Sequence, residues 1–289
     1  MPTVHVNGID IKYVTDGDPA DPPLLLVMGL GGQLTAWPEG FVEQLTGRGF
    51  FTIRYDNRDV GLSTKFEGIP DFVALFGGDS ASAPYRIEDM ADDAAALLAE
   101  LGIERTHVVG VSMGGMITQA LVINHPSLFL SACSIMSTTG DRTVGQPTDK
   151  AMMALLRPAA TSREEAVAAS LESGKVISSP GYPFDVALMT RRAENAYDRS
   201  YCPSGTARQL GAILGSPDRT EGLHAVKMPF LVIHGEDDIL VTVSGGKATA
   251  AAVPGSKLIL LPGMGHDLPE ELWSLIIDAI VANTELAAV

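Results

Sequence analysis

A serine stands between two glycines in the stretch Gly110-Val111-Ser112-Met113-Gly114. An apolar, strand-like run precedes this stretch and a helical pattern follows it, which predicts a sharp strand-to-helix turn at the serine. A side chain at either glycine would collide with the neighbouring strand or helix as the chain reverses. Such a turn presents the Ser112 hydroxyl at the tip of a sheet, beside the N-terminus of a helix. The pattern therefore indicates a nucleophilic serine; the alternative is a tight turn that contains a small residue.

A serine hydroxyl attacks only when a base removes its proton, and a carboxylate must orient that base. Among the six histidines, His266 has the most suitable position, in the glycine-rich loop PGMGHDLP between a strand-like run and the last helix. His234 lies inside an apolar strand pattern, which favours a buried structural histidine. Three carboxylates follow that strand at 236–238, and we predict that Asp238 orients His266. Asp141, which follows an earlier strand, is the alternative acid.

A tetrahedral intermediate also requires N–H donors for its oxyanion. Met113, the residue after the candidate nucleophile, provides one backbone N–H. The loop VMGLGG at 27–32 follows an early strand, and its glycines would let it fold back over Ser112. We therefore expect the N–H of Leu30 to be the second donor; the alternative is a generic glycine-rich strand end.

Short apolar runs alternate with helical patterns along the chain, which predicts an α/β fold with a mostly parallel central sheet flanked by helices. The first two strands form an antiparallel hairpin, because Asn7-Gly8 suits a two-residue type I′ turn. Buried strands are expected at 24–29, 50–56, 106–112, 130–137, 230–236 and 257–263, and helices at 39–48, 88–101, 113–124 and 268–283. The carboxyl ends of parallel strands meet at one edge of a sheet, where the candidate residues would gather.

The alternation stops between Thr139 and Leu223, where helix-like patches are broken by proline and glycine clusters. We expect a helical cap at 139–223 inserted into a core formed by 1–138 and 224–289. Apolar cap residues fit a helix core or, alternatively, an apolar pocket: Met152, Met153, Leu155, Leu156, Leu188 and Met189. Three cap arginines would suit an acidic substrate, although solvated surface charges are commoner: Arg191, Arg192 and Arg208.

Composition and charge limit the function classes. The 289 residues, 46% of them hydrophobic, can bury one large core. A formal net charge of −15 argues against nucleic acid and anionic membrane surfaces as partners. The N-terminus has no signal-peptide pattern and no segment approaches a membrane-spanning length, so we expect a cytoplasmic protein. Cys133 and Cys202 are expected to be free thiols.

Five segments together resemble the α/β-hydrolase fold, and the resemblance extends over essentially the full chain. They are VMGLGG at 27–32, RYDNRDVGLST at 54–64, GVSMGG at 110–115, HGEDDILV at 234–241 and PGMGH at 262–266. Within this fold the chain is similar to serine carboxylesterases of the aclacinomycin methylesterase type. The family places its acid four positions after the histidine of HGxxD, which is Asp238 here. Met28 departs from the pattern, since many relatives carry a histidine before the glycine.

The resemblance implies a serine hydrolase that cleaves carboxylic esters of small or medium-sized apolar substrates through an acyl-enzyme, without a metal or other cofactor. A serine at the turn argues against haloalkane dehalogenases and epoxide hydrolases, which need a carboxylate nucleophile. Acyl transfer, perhydrolysis, C–C bond hydrolysis and a non-enzymatic ligand receptor of the same fold remain as alternatives. The expected partner is a small-molecule ester, and a monomer and a homodimer are both left open.

Overall fold

The strand-like runs of the sequence form an eight-stranded sheet in the computed structural model, which describes residues 1–288. The strands are β1 (Thr3–Val6), β2 (Ile9–Asp16), β3 (Pro23–Val27), β4 (Phe51–Tyr55), β5 (Thr106–Val111), β6 (Phe129–Ile135), β7 (Phe230–Gly235) and β8 (Lys257–Leu261). Their order in the sheet is β1-β2-β4-β3-β5-β6-β7-β8. Strands β3 to β8 pair in parallel, whereas β1 and β2 are antiparallel to their neighbours. The predicted mostly parallel sheet is therefore confirmed.

Helices connect the parallel strands. They are α1 (Glu39–Gly47), α2 (Phe72–Phe76), α3 (Ile87–Glu100), α4 (Met113–Asn124), α5 (Asp149–Leu155), α6 (Arg163–Ile177), α7 (Val186–Arg199), α8 (Pro203–Gly215), α9 (Thr220–Leu223), α10 (Val243–Ala252) and α11 (Trp273–Glu285). The sequence patterns did not predict α2 and α10. Helix α10 reads VSGGKATAAA, and its small residues form no apolar stripe with helical spacing.

The first hairpin turns at Asn7 and Gly8. Both residues have positive φ, 50° for Asn7 and 76° for Gly8, as a type I′ turn requires. The Asn7 Nδ2 donates to Asp93 Oδ1 of α3 at 2.8 Å, which ties the hairpin to the helical layer. The predicted turn is confirmed.

Helices cover both faces of the sheet, which explains why its central strands are continuously apolar. In β3, Leu25 and Val27 belong to one hydrophobic cluster and Leu24 and Leu26 to a second one. The first cluster includes apolar residues of α3 and α4, and the second includes those of α1 and α11. The strands are thereby fixed from both sides, and their carboxyl ends form a rigid edge.

Helices α5 to α9 lie between β6 and β7 in the chain, and we call this segment, Asp149 to Leu223, the helical insertion. Helices α6 and α7 contain no buried residue, so they do not form a separate packed core. The boundaries predicted for the cap stay a prediction. No helix within residues 1–288 has both the length and the apolar character that a membrane crossing requires. Cys133 and Cys202 are free, as expected.

Candidate active site

The turn that carries Ser112 joins β5 to α4. Ser112 has φ 56° and ψ −121°, a backbone conformation that few residues other than glycine adopt. A Cβ at Gly110 would lie 2.0 Å from the Gly114 carbonyl oxygen, and a Cβ at Gly114 would lie 2.1 Å from the Val27 carbonyl oxygen. Any side chain at these positions would force the turn away from β3 or from its own helix. The glycines therefore allow the tight turn, and the turn holds the serine at the edge of the sheet.

His266 stands between Ser112 and Asp238. Its Nδ1–H donates to Asp238 Oδ2 at 2.7 Å, and its Nε2 accepts from the Ser112 hydroxyl at 2.9 Å. A carboxylate can only accept, so the proton of a neutral His266 resides on Nδ1 and the lone pair of Nε2 faces the serine. The structure thus brings together the three residues that the sequence singled out.

Asp238 is itself fixed by the backbone that follows β7. Its Oδ1 accepts hydrogen bonds from the N–H groups of Leu240 and Val241, at 2.8 and 3.0 Å. The side chain is fully buried, so the orientation of both carboxylate oxygens is set by these bonds and by His266. The other oxygen, Oδ2, is therefore held toward the imidazole.

The remaining candidates have other hydrogen-bond partners. Asp141 accepts from the N–H and the hydroxyl of Thr143, both at 2.8 Å, and forms no hydrogen bond with His266 within residues 1–288. These bonds lower the pKa of Asp141. His234 is fully buried and donates to the Val241 carbonyl at 2.7 Å, as expected for a structural histidine, and burial lowers its pKa.

The helical insertion holds the loop that carries His266. The His266 N–H donates to the Ile177 carbonyl at 2.8 Å, at the end of α6. The Gly265 N–H donates to Ser179 Oγ, also at 2.8 Å, and the Ser179 hydroxyl donates in turn to Asp267. Burial raises the pKa of Asp267. No sequence pattern predicts these contacts, because they join segments about 90 residues apart with no shared motif.

The loop at 27–32 packs directly on Ser112. A Cβ at Gly29 would lie 3.1 Å from the Ser112 Cβ and 3.6 Å from its Oγ. The N–H groups of Leu30 and Met113 donate no hydrogen bond within residues 1–288. Both expected donors are therefore unpaired. Met113 follows Ser112 in the chain, and the loop that carries Leu30 packs on Ser112.

Several polar side chains that sequence reasoning missed support this loop. Asp56 Oδ1 accepts from the Leu34 N–H at 2.7 Å, and Asn57 Nδ2 donates to the Met28 carbonyl at 3.1 Å. From helix α8, Gln209 Oε1 accepts from the Gly31 N–H at 2.8 Å. The segment RYDNRDVGLST, which contains Asp56 and Asn57, was the only sequence signal for this support. Gln209 had none.

Two ion pairs join the helical insertion to the segment after β4. Arg199 at the end of α7 pairs with Asp56 at 2.7 Å, and Arg208 of α8 pairs with Asp59 at 2.7 Å. Asp56, Asp59 and Arg208 are almost completely buried. Arg208 is therefore occupied by a carboxylate of the protein and is not available to an acidic substrate.

A cavity of about 830 Å³ opens onto Ser112 and His266. Its walls come from the edge of the sheet and from the helical insertion, and they are mostly apolar. Rather than packing in a helix core, five of the six apolar residues noted in the sequence line it: Met152, Leu155, Leu156, Leu188 and Met189. Met153 is 76% exposed. The structure favours the interpretation of these residues as a pocket.

This fold, with a serine on a strained turn and a histidine and an aspartate on two later loops, defines the class of the protein. The profile of the alpha/beta hydrolase fold family matches residues 22–271. The chain belongs to this family.

Among known proteins, the chain is similar to those named rhodomycin D methylesterase of Streptomyces sp. strain C5 and of Streptomyces peucetius. Each is 29% identical over 314 aligned positions that cover 100% of both chains. Among solved structures, it is similar to the esterase RhEst1 from Rhodococcus sp. ECU1013, with a TM-score of 0.75 and 23% identity. That superposition covers 98% of this chain and 97% of the esterase, and it shows a shared fold.

Proposed function

We infer that this chain is a carboxylic ester hydrolase in which Ser112 is the nucleophile, His266 the general base and Asp238 the residue that orients the base. The observation that carries the proposal is the continuous hydrogen-bonded series from the Ser112 hydroxyl through His266 to the buried Asp238 carboxylate. The relatives named as methylesterases support ester cleavage as the reaction. Other chemistries use the same three residue types, so the choice of esters rests on those relatives.

The geometry supports a two-step mechanism. His266 Nε2 accepts the proton of Ser112 as its oxygen attacks the ester carbonyl, and Asp238 stabilises the imidazolium that forms. The N–H groups of Leu30 and Met113 bind the oxyanion of the tetrahedral intermediate. His266 then gives the proton to the departing alcohol, which leaves an acyl group on Ser112. Water, activated by the same histidine, releases the acid.

The substrate we propose is a methyl or other small-alcohol ester with an apolar acyl group. The cavity walls support this choice, because they are mostly apolar and the helical insertion supplies many of them. We infer that the insertion acts as a cap over the site. A cavity of about 830 Å³ accommodates an acyl group of several carbon rings or a chain of medium length.

Hydrolysis of p-nitrophenyl esters of increasing acyl length, together with methyl esters of bulky acids, tests the proposal. We expect Ser112→Ala to lower kcat by at least about 10³-fold, because the acyl-enzyme can no longer form. Ser127→Ala replaces an exposed serine after α4 and should keep wild-type activity. A fluorophosphonate probe should label the wild type and Ser127→Ala but not Ser112→Ala.

Two results would contradict the proposal. Folded Ser112→Ala with wild-type kcat would exclude Ser112 as the nucleophile. If the probe labels the wild type but the wild type hydrolyses no ester, Ser112 remains a nucleophile and ester hydrolysis is excluded as the reaction.

A further inference from the structure

One guanidinium faces the proposed catalytic cavity without an acceptor. Arg192 of α7 lines the cavity and is half-buried. Within residues 1–288 its side chain makes no hydrogen bond and no ion pair. Four other arginines of the helical insertion form ion pairs: Arg157 with Glu172, Arg163 with Asp198, Arg199 with Asp56 and Arg208 with Asp59. Arg219, which also lines the cavity, donates to Gln119 Oε1 and to the Thr138 carbonyl.

The spacing along α7 explains why Arg192 points to the cavity. Asp185, Leu188, Met189 and Arg192 all line it, and these positions recur at helical spacing on one face. Arg191, the preceding residue in the chain, is exposed and does not line the cavity. Leu188 and Met189 form an apolar wall, and Arg192 adds one cation at its end.

The surroundings of Arg192 compensate its charge only in part. Loss of solvent lowers the pKa of its guanidinium, and Glu270 is the carboxylate that acts in the opposite direction, from beyond ion-pair distance. An anionic oxygen that enters the cavity can form favourable, charge-assisted hydrogen bonds with the free N–H donors of this partly desolvated cation. A carboxylate matches the planar guanidinium best, because it accepts two parallel hydrogen bonds.

Arg192 and Ser112 line the same cavity, so one substrate molecule can reach both. We propose that Arg192 binds a carboxylate carried by the ester substrate, at the end of the acyl group away from the ester. The proposal rests on the esterase function proposed above and specifies its substrate as an acidic ester, such as a half-ester of a dicarboxylic acid. The net charge of −15 repels acidic molecules at long range, so Arg192 must act through direct contact inside the cavity.

Monomethyl and dimethyl esters of succinic, adipic and sebacic acid provide matched substrates that differ in one carboxylate. For the chain length that fits, we expect the wild type to have a higher kcat/KM for the half-ester than for the diester. Arg192→Gln should raise the KM for that half-ester about 10- to 100-fold, as expected when a charge-assisted hydrogen bond is lost. Its effect on the diester should be much smaller.

Two further variants complete the test. Arg191→Gln removes the same charge one residue away and should leave both substrates at wild-type values. Glu270→Gln removes the carboxylate that competes for Arg192, so it should lower the KM for the half-ester.

The proposal is overturned if the wild type prefers the diester at every chain length, or if Arg192→Gln and Arg191→Gln have the same effect on the half-ester. An equal loss on half-ester and diester would also overturn it and assign Arg192 a structural role. These outcomes leave the esterase function intact. Failure to hydrolyse any ester would instead overturn the esterase function and this inference with it.

Discussion

Gln209 connects helix α8 to the loop that carries Leu30, and its replacement by methionine tests that connection. The Gln209 side chain is fully buried. Its Oε1 accepts from the Gly31 N–H and its Nε2 donates to the Arg58 carbonyl, both at 2.8 Å. Methionine has a similar length and volume but forms neither hydrogen bond. Gln209→Met therefore leaves one partly buried N–H and one buried carbonyl without a partner.

The unsatisfied buried carbonyl costs about 1–3 kcal/mol and the partly buried N–H adds less, so we expect the free energy of unfolding to fall by about 1–4 kcal/mol. Activity should fall as well, because Gly31 follows the proposed oxyanion donor Leu30 directly in the chain. Removal of one oxyanion donor typically lowers kcat by about 10²- to 10³-fold. A displaced loop loses part of that contribution, so we expect kcat to fall about 10- to 100-fold, with a smaller change in KM.

Urea unfolding measures the stability, and steady-state hydrolysis of a p-nitrophenyl ester measures kcat and KM. Gln209→Glu separates the two hydrogen bonds, because a carboxylate accepts from the Gly31 N–H but cannot donate to the Arg58 carbonyl. We expect Gln209→Glu to keep a higher kcat than Gln209→Met. Gln44→Met, at an exposed position of α1, is the control. Wild-type kcat in Gln209→Met, or equal kcat in the two Gln209 variants, would refute this reasoning.

Two predictions concern stability. Gly114→Ala places a Cβ 2.1 Å from the Val27 carbonyl oxygen, and it should lower the free energy of unfolding by about 3 kcal/mol or more in a urea titration. Its control is Gly47→Ala in α1, whose Cβ meets no atom within 4 Å; similar losses in both variants would contradict the clash. Burial lowers the pKa of His107 from 6.5 to about 4. Between these two pH values His107 binds a proton in the unfolded chain but not in the folded one, so the free energy of unfolding falls as the pH decreases from 6.5 to about 4. His107→Gln should show a smaller fall of the urea midpoint over the same window than the wild type, and an equal fall would exclude His107 as a cause.

The elements that position the site were readable from the sequence because each carries its own local signal. Strand β5 is buried over its whole length and mostly apolar, since helices cover both faces of the sheet. Close contacts with β3 and α4 leave no room for a side chain at Gly110 or Gly114, so the glycine-serine-glycine motif predicts the turn. His266 and Asp238 follow strands, and parallel strands end at one edge.

The contacts between the helical insertion and the loops could not be predicted in this way. Gly31 and Gln209 are 178 positions apart, and a buried glutamine in a helix has no distinctive pattern in its own neighbourhood. The orientation of α7 was equally hidden, because its sequence shows two adjacent arginines and only the packing distinguishes Arg191 from Arg192. The role of a side chain that bonds to a distant segment can be recognised only in the three-dimensional structure.

The helical insertion holds both loops of the proposed site, through Ser179 at the histidine loop and Gln209 at the Gly31 loop. This has a consequence for how such enzymes diversify. An insertion that merely covered a pocket would be free to change in sequence and to be exchanged between relatives as a cassette. Here the same insertion lines the cavity and braces the proposed reacting groups, so we expect new specificities to arise by substitutions at the cavity-lining positions of α5 to α8 while the bracing positions are kept.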